Sequence, residues 1–178
     1  TRAVDPIGEN GVDLRNYGEP IGIIEARKLG ADILDSKIDL TIAGEQSSYL
    51  LMTQLLLGRF LFGIDDDPWK DDKEPAFLCA VPGFDRHFAT LEGLGLKMHT
   101  VNLCTSGIDL EDLNKKLSKY PNIKGLICVP RHSNPSGEVF SDENITNLLK
   151  ITKEYNPSFI NLFDHAYLIH DFDETRVQ

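Results

Sequence analysis

Lys124-Gly125-Leu126-Ile127-Cys128-Val129 is an apolar run stopped by Pro130, and Phe159-Ile160-Asn161-Leu162-Phe163 is another, stopped by Asp164. Between them, Ser141 to about Tyr155 has helical spacing and opens on Ser141-Asp142-Glu143-Asn144, a helix-start signature. A short apolar run, an amphipathic helix and a second short apolar run make one βαβ unit, with parallel strands buried on both faces.

The same alternation extends backward. Ala76–Val81 is apolar, Asp85 to Leu94 is helical, and Lys97–Leu103 alternates with the two-residue period of a strand. Asp109 to Leu117 is helical, with Asp109 in the cap position. Repeated units of this kind predict an α/β fold, a three-layer α/β/α sandwich around a mainly parallel sheet.

Upstream the pattern is less regular. Thr1 to Pro20 is rich in Gly, Pro, Asp and Asn and reads as loop or linker. Ile21, Ile24 and Leu29 predict a short helix closed by Gly30, and Thr41–Gly44 reads as a short strand and turn. A helix over Ser47 to about Phe62, with Ser47 and Ser48 as caps, is apolar nearly all round and is expected to be buried on most faces. The acidic stretch Asp65 to Glu74 reads as a solvated loop; Trp69 within it either anchors an interface or tucks against the base of the loop.

The 178 residues are 41% hydrophobic and 26% charged, with 18 Lys plus Arg against 28 Asp plus Glu, a net charge of −10. Such a surface repels phosphate backbones and anionic membranes, so neither nucleic acid nor membrane is an expected partner. The most apolar stretch, Tyr49 to Phe62, is broken by Gln54, Gly58 and Arg59 and falls short of the roughly 20 residues a bilayer needs. Cys79, Cys104 and Cys128 each sit in an apolar run and read as buried thiols in a reducing, cytoplasmic compartment.

In an open α/β sheet, ligands bind beyond the carboxyl ends of the strands. The polar residues delivered there are Gly44–Ser47, Pro82–His87, Arg131–Gly137 and Asp164–Tyr167, and all four clusters are expected on one rim. Gly44–Ser48 leads into a helix N-terminus with free N–H groups suited to a phosphate, or simply to a Ser cap. Phe84 is either an aromatic face on the rim or a core side chain. Asn134 before Pro135 is either a fixed amide donor or an ordinary turn residue. Asp164 at a strand end is expected to be partly buried, so it requires a pair or a cationic ligand group, unless it caps a loop. His87 is its nearest candidate partner by position on the rim, and Tyr167 brings a phenol to the same place.

Taken together, Ser133-Asn134-Pro135-Ser136-Gly137 and, some thirty residues on, Asp164-His165-Ala166-Tyr167 resemble the fold-type I pyridoxal-phosphate aminotransferases. The stretches at 81–90, 128–143 and 163–171 resemble more narrowly the MocR-like aspartate aminotransferase subgroup. The likeness runs from Asn16-Tyr17-Gly18 to Asp171. It implies the cofactor pyridoxal 5'-phosphate and transfer of an amino group between an amino acid, aspartate first, and a 2-oxo acid. It implies Asp164 on the pyridine nitrogen, buttressed by His87, with Asn134 and Tyr167 on the phenolic oxygen. Phe84 would stack on the ring, and Gln46 and Ser47 would hold the phosphate. Tyr17 would reach the phosphate of the neighbouring subunit, which implies a homodimer.

The family's catalytic lysine, which forms the Schiff base, lies after the Asp-x-Ala-Tyr strand. Here the last lysine is Lys153, and only Arg176 stands near the end. The chain is therefore expected to be the central part of a large domain, 1–178. The catalytic-lysine segment and the small domain would lie elsewhere, and the chain alone would be inactive. A lyase or decarboxylase of the same fold and a non-catalytic interaction module remain alternatives. So does a metal-dependent hydrolase built on Asp164, His165, His170, Asp171 and Asp173, although neighbouring strand residues point to opposite faces.

Overall fold

A computed structural model describes residues 5–45, 47–64 and 67–171. They form two compact units, residues up to Ser47 together with those from Ile169, and Ser48–Leu168.

In the first unit, residues 5–23 are loop apart from a single bridge between Ile7 and Asp13. Helix α1 spans Ile24–Ile33 and therefore runs through Gly30, which was expected to close it. The helix ends instead at Leu34, whose N–H still bonds the Gly30 carbonyl. Arg27 ties α1 to the following turn, donating to the carbonyls of Ile38 at 2.7 Å and Thr41 at 2.8 Å. Thr41–Gly44 is not a strand. Its one ladder-like contact is the Ala43 N–H to the Ile21 carbonyl, and Gly22, at φ +91°, leaves no room there for a Cβ.

The second unit opens with α2, Ser48–Leu61. A five-stranded sheet then forms from β1 (Ala76–Val81), β2 (Lys97–Cys104), β3 (Gly107–Ile108), β4 (Ile123–Cys128) and β5 (Ile160–Phe163), in the order β3-β2-β1-β4-β5. The pairs β1/β2, β1/β4 and β4/β5 are parallel, while β3 folds back antiparallel on β2. Helices α3 (Asp85–Gly93), α4 (Leu110–Lys119) and α5 (Asp142–Tyr155) make the crossovers.

Strand periodicity divides the core into two. Leu78, Ala80, Val101, Leu126 and Cys128 pack with Leu113 and Leu117 of α4 and Leu148 of α5. Phe77, Cys79 and Ile127 face the other way, against Leu56 of α2, Leu91 of α3 and Trp69. These are the three layers expected. The step from β1 to β2 runs opposite to the steps from β2 to β4 and β4 to β5. With crossovers of one hand, α3 must then lie on the face opposite α4 and α5, as the two cores show. The reversal falls between β1 and β4, the place where an open sheet binds ligands.

Two further expectations need correction. Only Leu56 and Arg59 of α2 are buried, whereas Leu50, Leu55 and Leu57 are exposed, because one side of this apolar helix meets the sheet and the Trp69 turn. Cys104 is exposed, since β2 is only partly covered by helices. The hairpin strand β3 had no sequence signal beyond one glycine. It is held by the Asn144 side chain, which accepts from the Ile108 N–H and donates to the Ile108 carbonyl. Trp69 resolves toward the core: it is buried at 6.0 Å from Phe77, with the Arg59 guanidinium over its ring. Asp65 and Asp66 of the acidic loop lie outside the described residues.

Candidate functional site

β1 leads through Pro82-Gly83 into α3, and Phe84 takes the cap position with extended backbone. The turn is tight: a Cβ on Gly83 would run into the Ala80 carbonyl and the Phe88 ring. His87 thus falls in the first turn of α3, where it is 3% exposed. Its ring meets the edge of Phe84, with centroids 5.2 Å apart at 87°.

Two strands away, Cys128 of β4 pairs with Phe163 of β5, and the Asp164 N–H adds one more bond to the Cys128 carbonyl at 2.9 Å. This places Asp164 at the end of β5, 7% exposed. Its Oδ2 lies 2.9 Å from His87 Nε2, and its Oδ1 accepts the Ala166 N–H at 3.1 Å, a local Asx turn. Burial, the largest influence, pushes the carboxyl up. The hydrogen bond and charge of His87, the Ala166 N–H and the charge of His165 together outweigh it and hold Asp164 below its ordinary value. The site therefore presents a buried, ionised carboxylate.

After Cys128 the chain turns through residues 129–140, pinned where Ser133 donates to the Glu138 carbonyl and Phe140 to the Pro130 carbonyl, both at 2.9 Å. The Asn134–Pro135 peptide is cis. Asn134 Nδ2 points at the Tyr167 hydroxyl at 3.4 Å, a long contact that brings the two polar tips together. A small cleft beside this loop is lined by Ala80, Gly83, Phe84, His87, Cys128 and Ser133. The thiols stay protonated: burial pushes Cys79 up to about 12 and raises Cys128 as well.

The structure thus gathers Phe84, His87, Asn134, Asp164 and Tyr167 at the carboxyl ends of β1, β4 and β5. Gln46 lies outside the described residues. Ser47, half-buried, stands immediately before α2, and Tyr17, in the first unit, is 97% exposed. Sequence reasoning assigned no role to Ser133, a buried hydroxyl in the cleft, because nothing local marks a serine as inward-facing. Among the described residues no three His, Cys, Asp or Glu side chains are grouped to hold a metal ion, and His165 turns instead against Phe163 at 6.2 Å. Asp173 lies outside the described residues. No helix among the described residues is long and apolar enough to cross a membrane.

The site's donor set suits a protonated heteroaromatic nitrogen. An ionised carboxylate has about four acceptor positions, of which the protein uses two, and Phe84 stands against the His87 ring that holds it.

Comparison with known proteins agrees. A family model described as aspartate amino-transferase matches residues 2–176. The aspartate aminotransferase of Corynebacterium glutamicum is 34% identical over 163 residues, covering 90% of this chain and 37% of that protein. The crystal structure of an aspartate transaminase from the same organism superposes with a TM-score of 0.82 at 32% identity, covering 91% of this chain and 38% of that one. An archaeal alanine:glyoxylate aminotransferase shares the fold, with a TM-score of 0.66 at 23% identity over 86% of this chain and 37% of that one. The chain therefore spans well under half the length of these relatives.

Proposed function

The chain belongs to the aspartate amino-transferase family, and on that premise we propose that it holds the cofactor ring of a pyridoxal-phosphate-dependent aminotransferase. Its 178 residues form the central part of the cofactor-binding large domain, with the catalytic lysine supplied from outside them. The observation that carries this reading is the buried, ionised Asp164 at the end of β5, held by His87, whose ring in turn meets Phe84.

When bound, pyridoxal phosphate supplies an electron sink for negative charge at the α-carbon of the amino acid. The chain's own residues keep that sink in place. Asp164 accepts the proton-bearing pyridine nitrogen, and His87 holds the carboxylate ionised and oriented. Phe84 covers one face of the ring. Asn134 and Tyr167 donate to the phenolic oxygen, their tips already adjacent. Gln46 and Ser47 hold the phosphate, as the family resemblance implies. Tyr17, so exposed in this chain, reaches the phosphate of a neighbouring subunit, which makes the working enzyme a homodimer. The substrates are an amino acid, with aspartate the first to try, and a 2-oxo acid, in a cytoplasmic setting that keeps the three free cysteines reduced.

The test is equilibrium binding of pyridoxine 5'-phosphate, which lacks the aldehyde and so cannot react with surface lysines. Asp164→Ala removes a charge-assisted hydrogen bond of about 1.5–3 kcal/mol, a loss of roughly 10- to 100-fold in affinity. Equal binding by both proteins overturns the assignment.

A further inference from the structure

The loop after β4, which carries Asn134, rests on the hairpin between β2 and β3. Its base is closed where Phe140 donates to the Pro130 carbonyl at 2.9 Å. One residue on, the Ser141 N–H donates to the Ser106 carbonyl at 2.9 Å and ties the end of the loop to the hairpin. The buried ring of Phe140 lies against Gly107, where an added Cβ would stand 2.9 Å from it. The hairpin in turn is held by Asn144, buried in the first turn of α5. Its side chain accepts from the Ile108 N–H at 2.9 Å and donates to the Ile108 carbonyl at 2.8 Å. Its own N–H donates to the Ser141 hydroxyl at 3.1 Å. Asn144 therefore answers both backbone groups of an edge-strand residue, as a further strand would. A strand of two residues has little stability of its own, so the clamp matters. Asparagine is a weak helix former, and what it contributes at this position is the clamp.

We propose that Asn144 is a positioning residue for Asn134. With Asn144 in place, Ser106 and Gly107 form a fixed platform, and the loop takes its position from that platform through Phe140 and Ser141. Within the loop the Ser133 N–H bonds the Glu138 carbonyl at 2.9 Å, so the side that carries Asn134 is fixed to the side that meets the hairpin. The Asn134 amide is thereby held within 3.4 Å of the Tyr167 hydroxyl. Without the clamp, the N–H and C=O of Ile108 lose their partner, the hairpin loosens, and the amide moves relative to the phenol. The proposal rests on the cofactor reading only for the use made of Asn134. The coupling itself belongs to the chain without any ligand, so the two readings fail separately.

The experiment uses the full 178-residue chain labelled with 15N, without ligand. Native-state hydrogen exchange is followed at the backbone amides of Ile108, Ser133, Phe140 and Ser141. The expected result is one shared opening free energy with one dependence on low denaturant, because hairpin and loop open as a unit. In Asn144→Ala the amides of Ser133 and Phe140, which bond Glu138 and Pro130 rather than Asn144, exchange about tenfold faster or more. The side-chain Nδ2 resonances of Asn134 move in the same variant, while the indole N–H of Trp69, in the other core, stays in place. A substitution that merely lowered overall stability would leave the resonances of the folded state where they are. Ser133 and Phe140 exchanging through an opening that leaves Ile108 and Ser141 protected overturns the proposal, as do unmoved Asn134 resonances in Asn144→Ala. The exchange pattern of the unsubstituted chain decides the matter even if the variant does not fold.

Discussion

The imidazole of His87 and the carboxylate of Asp164 lie 2.9 Å apart although 77 residues separate them. They meet because β1 and β4 are adjacent and β5 follows on the far side of β4, so the first turn of α3 overhangs the end of β5. Burial alone would favour a neutral acid at this place, and His87 is the chief reason Asp164 stays ionised.

Removing that support shifts the balance. In His87→Ala the carboxyl of Asp164 rises, because burial then meets less opposition. The buried acceptor left behind costs about 1–3 kcal/mol of stability. Titration of the Asp164 carboxyl carbon by NMR checks the first expectation, and urea unfolding checks the second. An unmoved titration would mean that His87 is not what holds the charge.

Asp164 also sets a pH signature. A carboxyl whose folded value lies below its unfolded value, about 3.9, stabilises the fold at neutral pH. That contribution declines as the pH drops toward 4 and is gone once the pH has passed the lowered folded value. The difference in unfolding free energy between the unsubstituted chain and Asp164→Asn is therefore larger at pH 7 than at pH 3. A difference that grew in acid would contradict the direction of the shift.

Gly125 of β4 faces the Phe77 ring and the Ile160 carbonyl so closely that an added Cβ would overlap both. Gly125→Ala should cost roughly 1–3 kcal/mol by overpacking. Phe77→Leu in the same chain should recover part of that loss, because it withdraws one of the two obstacles. Denaturant midpoints of the two single variants and the double variant measure the coupling.

The three cysteines separate by environment. Cys104 is exposed, whereas Cys79 and Cys128 are buried, and burial pushes Cys79 up to about 12. Under native conditions a thiol reagent at pH 8 should modify Cys104 at least tenfold faster than the other two, since the thiolate is the reactive form. Denaturation should bring all three to similar rates, and peptide mapping assigns the sites.

The order of elements was legible along the chain because its causes are local. The apolar runs at Ala76–Val81 and Phe159–Phe163 mark strands, and Asp109 accepts from the N–H groups of Glu111 and Asp112 as its place before α4 implies. Ser141 accepts likewise from Asn144 at the start of α5. The positions of Phe84, Asn134, Asp164 and Tyr167 near strand ends were legible for the same reason, since each follows an apolar run. Less local features were misread. Gly30 was expected to stop α1, yet its backbone stays helical and the helix continues to Ile33. The apolar α2 was expected to be buried on most faces, and the number of its neighbours is a matter of packing rather than composition.

By itself the sequence determined that strands and helices alternate, where they start, and which polar side chains their ends carry, since caps and hydrophobic period act within a few residues. Only the tertiary structure decided that β4 lies beside β1 rather than beyond β2, that the ring of His87 meets Asp164, and that Ser133 turns inward. Those outcomes depend on which faces can be covered at once by α3 on one side and α4 and α5 on the other, and that competition is settled by packing across the whole sheet.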